Sequence, residues 1–490
     1  MKKIFLFIFL LSCAVSPSPA QDTSSTNAPA TNAPAADVSN LDVNIKPDAL
    51  PKDANGFLTP VVWDYIAAIA AQKPNSNEKR VLELRPLYKA YYATFADWKA
   101  PDPTPVPDGK LRNLPDTPKE PRFPLTDKIW PANTGDASVC LWEDDKLAAM
   151  SLGVDDNNAG DIPAWLDLSK KYGGLNITWN LISGDIDGVY DKGHITMFGT
   201  WQLWQDMLNK GYHLASHSVM HCADPVPADG WPGPDWETAE SQHQIDSHLT
   251  GHKTTVFVYP GAGVGLFAIP HGYYPNSPWR PSIVKYYAAA RGGGGQPINP
   301  ANMIDYFEIH STTAVQNIVD GADPKFAEDN LNNIFAADPG SPYHKYYRGW
   351  ATAFIHFING GRDFDTNPYY IAYGKVLDFY NQHRDDLWTG FFDDVALYGE
   401  ERDTATLTTD DSSATKISLT LTDKMDPATF TYPLTIKVRL PDSWPGAQAM
   451  QNGKTLPTQV LAHEGANFAL VKAVPDQGQI TLASAAAAGK

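Results

Sequence analysis

Between residues 138 and 402 the apolar positions fall into two alternating rhythms. Short apolar runs of strand length occur in SVCLWE, LAAMSLGV, NITWNLI, YHLASHS and TTVFVYPGAG. Between them lie segments with apolar residues three and four apart. IPAWLDLSKKYG predicts an amphipathic helix stopped by Gly173-Gly174, and FGTWQLWQDMLNKG predicts another. YGKVLDFYNQH and FFDDVALYGEER predict the last helices of this region. Strands alternating with helices predict a parallel sheet with crossover helices. Six or more such units over about 260 residues favour a closed or partly closed (β/α) barrel over an open sheet.

The flanks follow other patterns. After Asp403, KISLTLTD, TYPLTIKVRLP, NFALVKAV and QITLASA alternate apolar and polar residues with period two, separated by turn residues. Residues 403–490 therefore predict an antiparallel β-sandwich. On the N-terminal side, VVWDYIAAIAAQ and VLELRPLYKAYYATFADW predict helices within 57–99. Eight prolines then mark an extended connector from Ala100 to Leu125. The expected order is thus a helical and Pro-rich region over 41–130, a barrel over 131–402 and the sandwich.

The first 40 residues carry no fold pattern. Met1-Lys2-Lys3 and the apolar run Ile4–Leu11 have the charged and hydrophobic parts of an export signal. Ser18-Pro19-Ala20 offers a cleavage site closing a signal at residue 20. Leu10-Leu11-Ser12-Cys13 resembles a bacterial lipobox, which would lipidate Cys13. Either ending implies an exported protein, periplasmic, surface-bound or secreted, with membrane attachment only through the lipid. Residues 21–40 repeat Thr, Asn, Ala and Pro and read as a disordered tether.

With 38 basic and 56 acidic residues the formal charge is −18. That excludes the basic surface needed for nucleic-acid binding. Cys140 and Cys222 would lie in an oxidising compartment, where they either pair or remain separate buried thiols.

The chemistry-bearing residues cluster at predicted strand ends, where a βα barrel builds its active site. Asp155-Asp156 follows LAAMSLGV and precedes the turn residues Asn157, Asn158 and Gly160. Neighbouring strand residues face opposite ways, so both carboxylates reach one site only if the chain bends there. Otherwise the pair is a solvated helix start. In YHLASHSVMH, His217 and His221 would stand about 13 Å apart on a strand but about 6 Å apart on a helical turn. Both can hold one metal only if the strand ends near His217. His213 belongs to the core or surface. One carboxylate and two neutral imidazoles leave a divalent cation a residual charge of about +1 and an open position, as at a catalytic zinc. His356, inside the apolar FIHF, reads by itself as a core histidine.

These residues resemble the polysaccharide deacetylases with a NodB-type domain, carbohydrate esterase family 4. SLGVDDNN matches the first family motif, which ends in Asp-Asp. His217-Ser218-Val219-Met220-His221 matches the second, His-Ser-x-x-His, in full. GWATAFIHFINGG holds the best counterpart of the late Leu-His motif at His356. The resemblance covers residues 138–402. It implies a distorted NodB-type barrel, with Asp155 as base, Asp156, His217 and His221 as ligands of a divalent metal such as Zn²⁺, and His356 as acid.

One motif departs. The third family motif carries Arg before Pro-Tyr, and that Arg positions the base. Here TTVFVYPGAG puts Val258 in its place and Gly261 where Tyr belongs. Tyr259-Pro260-Gly261 still predicts a strand-end turn at the substrate. Arg291, in AAARGGGG, is the candidate replacement, against the simpler reading as a surface Arg. Trp179, Tyr259, Tyr273, Tyr274, Trp279 and Trp350 are candidates for stacking on sugar rings, against the reading of most of them as core, with PHGYYPNSPWRP as the lip. The resemblance implies removal of N-acetyl groups from an extracellular or cell-wall polysaccharide. The alternatives are an O-acetyl esterase acting on xylan-like polymers and a non-catalytic glycan-binding surface protein.

Overall fold

The computed structural model describes residues 41, 49–54, 57–73, 77–189, 192–221, 229–260, 279–292, 298–311, 326–358, 360 and 368–485. The chain forms two compact units. Among the described residues no helix is long and apolar enough to cross a membrane.

The smaller unit spans residues 1–97 with 223–233 and 262–270. Its helices are α1 (Val62–Gln72) and α2 (Asn77–Ala93). Val62, Trp63, Ile66 and Ile69 recur at helical spacing and bury one face of α1 with Leu50 and Leu58. Arg85 of α2 lies 3.9 Å from the Trp63 ring centroid and donates to both oxygens of Asp229 at 2.9 and 2.7 Å.

The larger unit holds the rest. Its first strand, β1 (Ala137–Val139), is short, and the main sheet begins with β2 (Ala148–Val154). Then follow β3 (Ile177–Leu181), β4 (His213–Ser216), β5 (Val256–Val258), β6 (Ala289–Arg291), β7 (Ile298–Asn299), β8 (Trp350–Ile355) and β9 (Leu387–Thr389). Their order is β6-β5-β4-β3-β2-β8-β7, with β9 also on β2. Every pairing is parallel except β7 with β8. Between strands lie α3 (Ile162–Lys171), α4 (Trp201–Asn209), α5 (Pro234–His248) and α6 (Arg280–Tyr286). Later come α7 (Pro368–Gln382) and α8 (Phe392–Thr404). Strands β2, β3, β5 and β8 are buried at every position, as a sheet covered on both faces requires. Trp165, Trp179 and Trp204 are fully buried in the core between sheet and helices.

The sheet is curled. Four strand spacings separate β6 from β2, about 19 Å in a flat sheet. Yet the side chain of Arg291 at the end of β6 meets Asp155 just past β2. No arginine side chain spans a flat sheet of that width, so the strands form a half-barrel arc around this contact. The arc is a partly closed barrel: β6 and β7 end the strand order, and the segment from Tyr306 to His310 bonds to β6 on one side and to Asn299 of β7 and Thr352 of β8 on the other.

The C-terminal strands make two antiparallel sheets. One has the order β1-β12-β16-β15, with β12 (Leu434–Arg439), β15 (Thr458–His463) and β16 (Ala466–Ala473). The other has the order β10-β11-β17-β13-β14, with β10 (Thr406–Ser412), β11 (Lys416–Thr422), β13 (Gly446–Gln451), β14 (Lys454–Leu456) and β17 (Ile480–Ala485). The expectation that SVCLWE is a barrel strand is corrected here. Its three-residue β1 pairs antiparallel with β12, Ala137 opposite Val438, and so extends the sandwich. Buried Lys437 fixes the following turn through an ion pair with Asp145 at 2.6 Å.

Candidate active site

The site is assembled at the C-terminal ends of five strands. After β2 the chain turns sharply, with Asp156, Asn157 and Asn158 all left-handed, at φ 60°, 60° and 48°. Asp and Asn tolerate this conformation better than other non-glycine residues, because a short polar side chain bonds locally. Asn158 does so by donating to the Asp155 carbonyl at 2.6 Å, while Asn157 is anchored to neighbouring segments, accepting from the N–H of Ile182 at 2.8 Å and donating to the carbonyls of Ile182 and Phe198. The turn aims both carboxylates at one place. After β4 the strand likewise stops at Ser216, and Ser218 and His221 take φ of 71° and 57°. The coil returns His221 toward His217, their ring centroids 4.7 Å apart.

Three polar groups meet there. Asp156 Oδ1 lies 3.3 Å from His217 Nε2 and 3.2 Å from His221 Nε2. The three groups fit a single cation by spacing. Asp156 Oδ1 and His221 Nε2 are buried without any hydrogen-bond partner. Buried polar atoms left unmatched are rare and costly, and one oxygen with two imidazole nitrogens is the donor set of a divalent transition metal. His217 Nδ1 sits 2.9 Å from the Val258 carbonyl, which fixes the proton on Nδ1 and leaves Nε2 free to ligate.

The electrostatics agree. Burial pushes His221 down to about 4 despite the pull of Asp156, so its imidazole is neutral near pH 7. Burial alone would raise Asp156, but His221, His217 and His356 outweigh it and hold the carboxyl far below the usual range. Burial would lower His217, and the closeness of Asp156 with the charges of both carboxylates raises it instead. A proton on His217 and a cation would therefore compete for the same nitrogen.

Asp155 is held differently. Its Oδ1 accepts from the Arg291 guanidinium and, at 2.6 Å, from Asn180 Nδ2. Burial would raise this carboxyl, but Arg291, His217 and His356 keep it below the ordinary range. Arg291 is buried, not a surface residue, and stacks 4.2 Å from the Phe354 ring. Parallel pairing sets Arg291 beside Val258, so the cation comes from one strand over at the same level. Gly153 leaves Asn180 its room, since an added Cβ would come within 3.2 Å of Asn180 Nδ2. His356 follows β8 directly. The N–H of Asp155 donates to the Ile355 carbonyl at 3.0 Å, which sets half-buried His356 alongside the carboxylates.

Several expectations are corrected. Tyr259 is buried, its hydroxyl donating to the Phe307 carbonyl at 3.0 Å, and Pro260 is buried beside it. Both are withdrawn from solvent, and Arg291, the candidate replacement for the third-motif Arg, meets Asp155. Trp179, Trp279 and Trp350 are fully exhausted as core, each at 0% exposure. Their large ring areas pack within the sheet and helix layers, as for Trp179 against Trp165 and Tyr212. Gly261, Tyr273, Tyr274 and Cys222 lie outside the described residues. Cys140 is a free, buried thiol. One contributor escaped the sequence reading: Asn180, an amide inside an apolar strand.

No known protein-family model matches the chain. A gellan lyase from a Bacillus species is 32% identical over 395 residues, which is 77% of this chain. The chain spans 14% of that relative's length. Among solved structures, a CE4 family pseudoenzyme from Bacillus anthracis aligns at 11% identity and a TM-score of 0.27, over 51% of this chain and 66% of that one. A glycoside hydrolase family 30 subfamily 8 xylanase from Clostridium acetobutylicum aligns at 12% identity and a TM-score of 0.23, over 72% of this chain and 100% of that one.

Proposed function

We propose that this protein is an exported, metal-dependent polysaccharide deacetylase of the NodB type, removing N-acetyl groups from an extracellular or cell-wall glycan. The observation that carries this is the convergence of Asp156, His217 and His221, with a buried oxygen and nitrogen left unmatched. These three residues would hold the cation, zinc by default. When bound it polarises an acyl carbonyl and makes water a better nucleophile. Asp155, kept ionised chiefly by Arg291 with His217 and His356, would take up the proton of the attacking water. His356, in its protonated form, supplies a proton to the departing nitrogen, which would otherwise have to leave as an amide anion. The name of the relative, a gellan lyase, supports a polysaccharide as the substrate.

An O-acetyl ester would use the same residues and need the acid less, because an alkoxide leaves more readily than an amide anion. Acetate release from a panel of N- and O-acetylated glycans by metal-loaded protein tests the reading. Asp155→Asn should slow release about 10²–10⁴-fold with metal content unchanged. Stoichiometric metal without acetate from any polymer would point instead to a glycan-binding protein.

A further inference from the structure

Helix α5, PDWETAESQHQIDSH, is polar nearly all round, yet Glu237, Thr238 and Ser241 in it are fully buried. A buried carboxylate needs strong donors to remain tolerable. Glu237 Oε2 accepts from two consecutive backbone N–H groups, Val219 at 3.0 Å and Met220 at 2.9 Å. Ser241 is four residues on and so shares that helix face. Its Oγ lies 2.8 Å from Ser216 Oγ and accepts from Ser183 Oγ at 3.3 Å. Every one of these contacts but the last is made on the strand end and coil that carry His217 and His221.

That coil is not a conformation the chain would choose alone. Ser218 and His221 are both left-handed, which L-residues other than Gly, Asn and Asp adopt reluctantly. Ser218 Oγ accepts from the His221 N–H at 2.9 Å and closes the turn from within. From outside, only Glu237 engages the N–H groups at its two middle residues, among the hydrogen bonds of the described residues. Hydrogen bonds to an ionised acceptor are about twice as strong as neutral ones.

We propose that Glu237 is a positioning residue for the imidazoles: by clamping Val219 and Met220 it holds the left-handed coil that brings His217 and His221 onto Asp156, and cation affinity depends on it. The inference rests on the metal-centre reading of those three residues. A carboxylate that only stabilised the fold would affect unfolding but not the geometry of a bound cation.

The test titrates the full-length protein with Zn²⁺ alone, by chelator competition, and records the visible spectrum of the Co²⁺ form. Glu237→Gln keeps the shape and one acceptor but loses the charge. Glu237→Asp keeps the charge on a shorter arm and serves if the first variant does not fold. Wild type should bind one Zn²⁺. Either folded variant should bind it about 10–100-fold more weakly, with an altered Co²⁺ band. Wild-type affinity and an unchanged spectrum in both variants would overturn the role of Glu237 while leaving the metal centre standing. Absence of stoichiometric Zn²⁺ from the wild type would instead overturn the metal centre, and the positioning role with it.

Discussion

Strand β4 carries a histidine-carboxylate cluster at each end, and the two differ in how their polar atoms are satisfied. Past its C-terminal end, His217 and His221 face Asp156 at 3.3 and 3.2 Å, with an oxygen and a nitrogen unmatched. At its first residue, His213 Nδ1 lies 2.9 and 2.8 Å from the two oxygens of Asp393, with Asp394 nearby. The His213 ring stacks flat on Phe391, centroids 3.7 Å apart. Burial, then Asp393, pushes Asp394 up to about 7. Residue type and closeness are alike in both places. Hydrogen-bond closure separates them: the lower cluster is a finished ion pair, and the upper one leaves an oxygen and a nitrogen unmatched.

The largest expected effect falls on the upper cluster. His221→Ala should weaken Zn²⁺ binding at least about 10²-fold, while His213→Ala leaves the metal content of dialysed protein unchanged by elemental analysis. The opposite result would invert the assignment of the two ends. Next comes the pair beside the upper cluster. Arg291→Met leaves the Asp155 carboxylate buried without its cation, and denaturant unfolding should show a loss of about 3–5 kcal/mol. Adding Asp155→Asn to that variant should restore part of it. The smallest effect belongs to His213, whose pKa burial would lower but Asp393 raises. A raised histidine contributes its stability below the ordinary value near 6.5, and that contribution is lost as pH rises through the folded value. Thermal unfolding from about pH 5 to about pH 9 should show at most about 1 kcal/mol of this dependence. Asp393→Asn should flatten it.

The sequence made some of this legible and hid the rest for physical reasons. Strands β2, β3 and β4 were readable because a doubly covered strand is an unbroken apolar run, as in LAAMSLGV. The bends at Asp156 and after Ser216 were legible as conditions, since alternate residues on a straight strand cannot share a site. Helix α5 left no apolar stripe to read because its buried positions mix Trp236, Ala239 and Ile245 with Glu237, Thr238 and Ser241. Strand β10, TLTTDDS, was missed because it is exposed along most of its length and shows no alternation of burial. Asn180 sits in an apolar strand and carried no mark of its role, which arises only when Gly153 lets it approach Asp155. The aromatics stayed ambiguous because a tryptophan suited to a sugar and one suited to a core are the same residue. Only depth in the fold separates them.

The contact between Arg291 and Asp155 has a mechanical consequence. It ties the terminal strand of the arc to its middle across four strand spacings, like a string across a bow. An end strand ordinarily frays first, but β6 is also bonded to Tyr306 and Ile309 on its outer side, and peeling it away would strand a buried charge at β2. Amide protons of Ala289 to Arg291 should therefore exchange with solvent as slowly as those of β2 itself, and open with them.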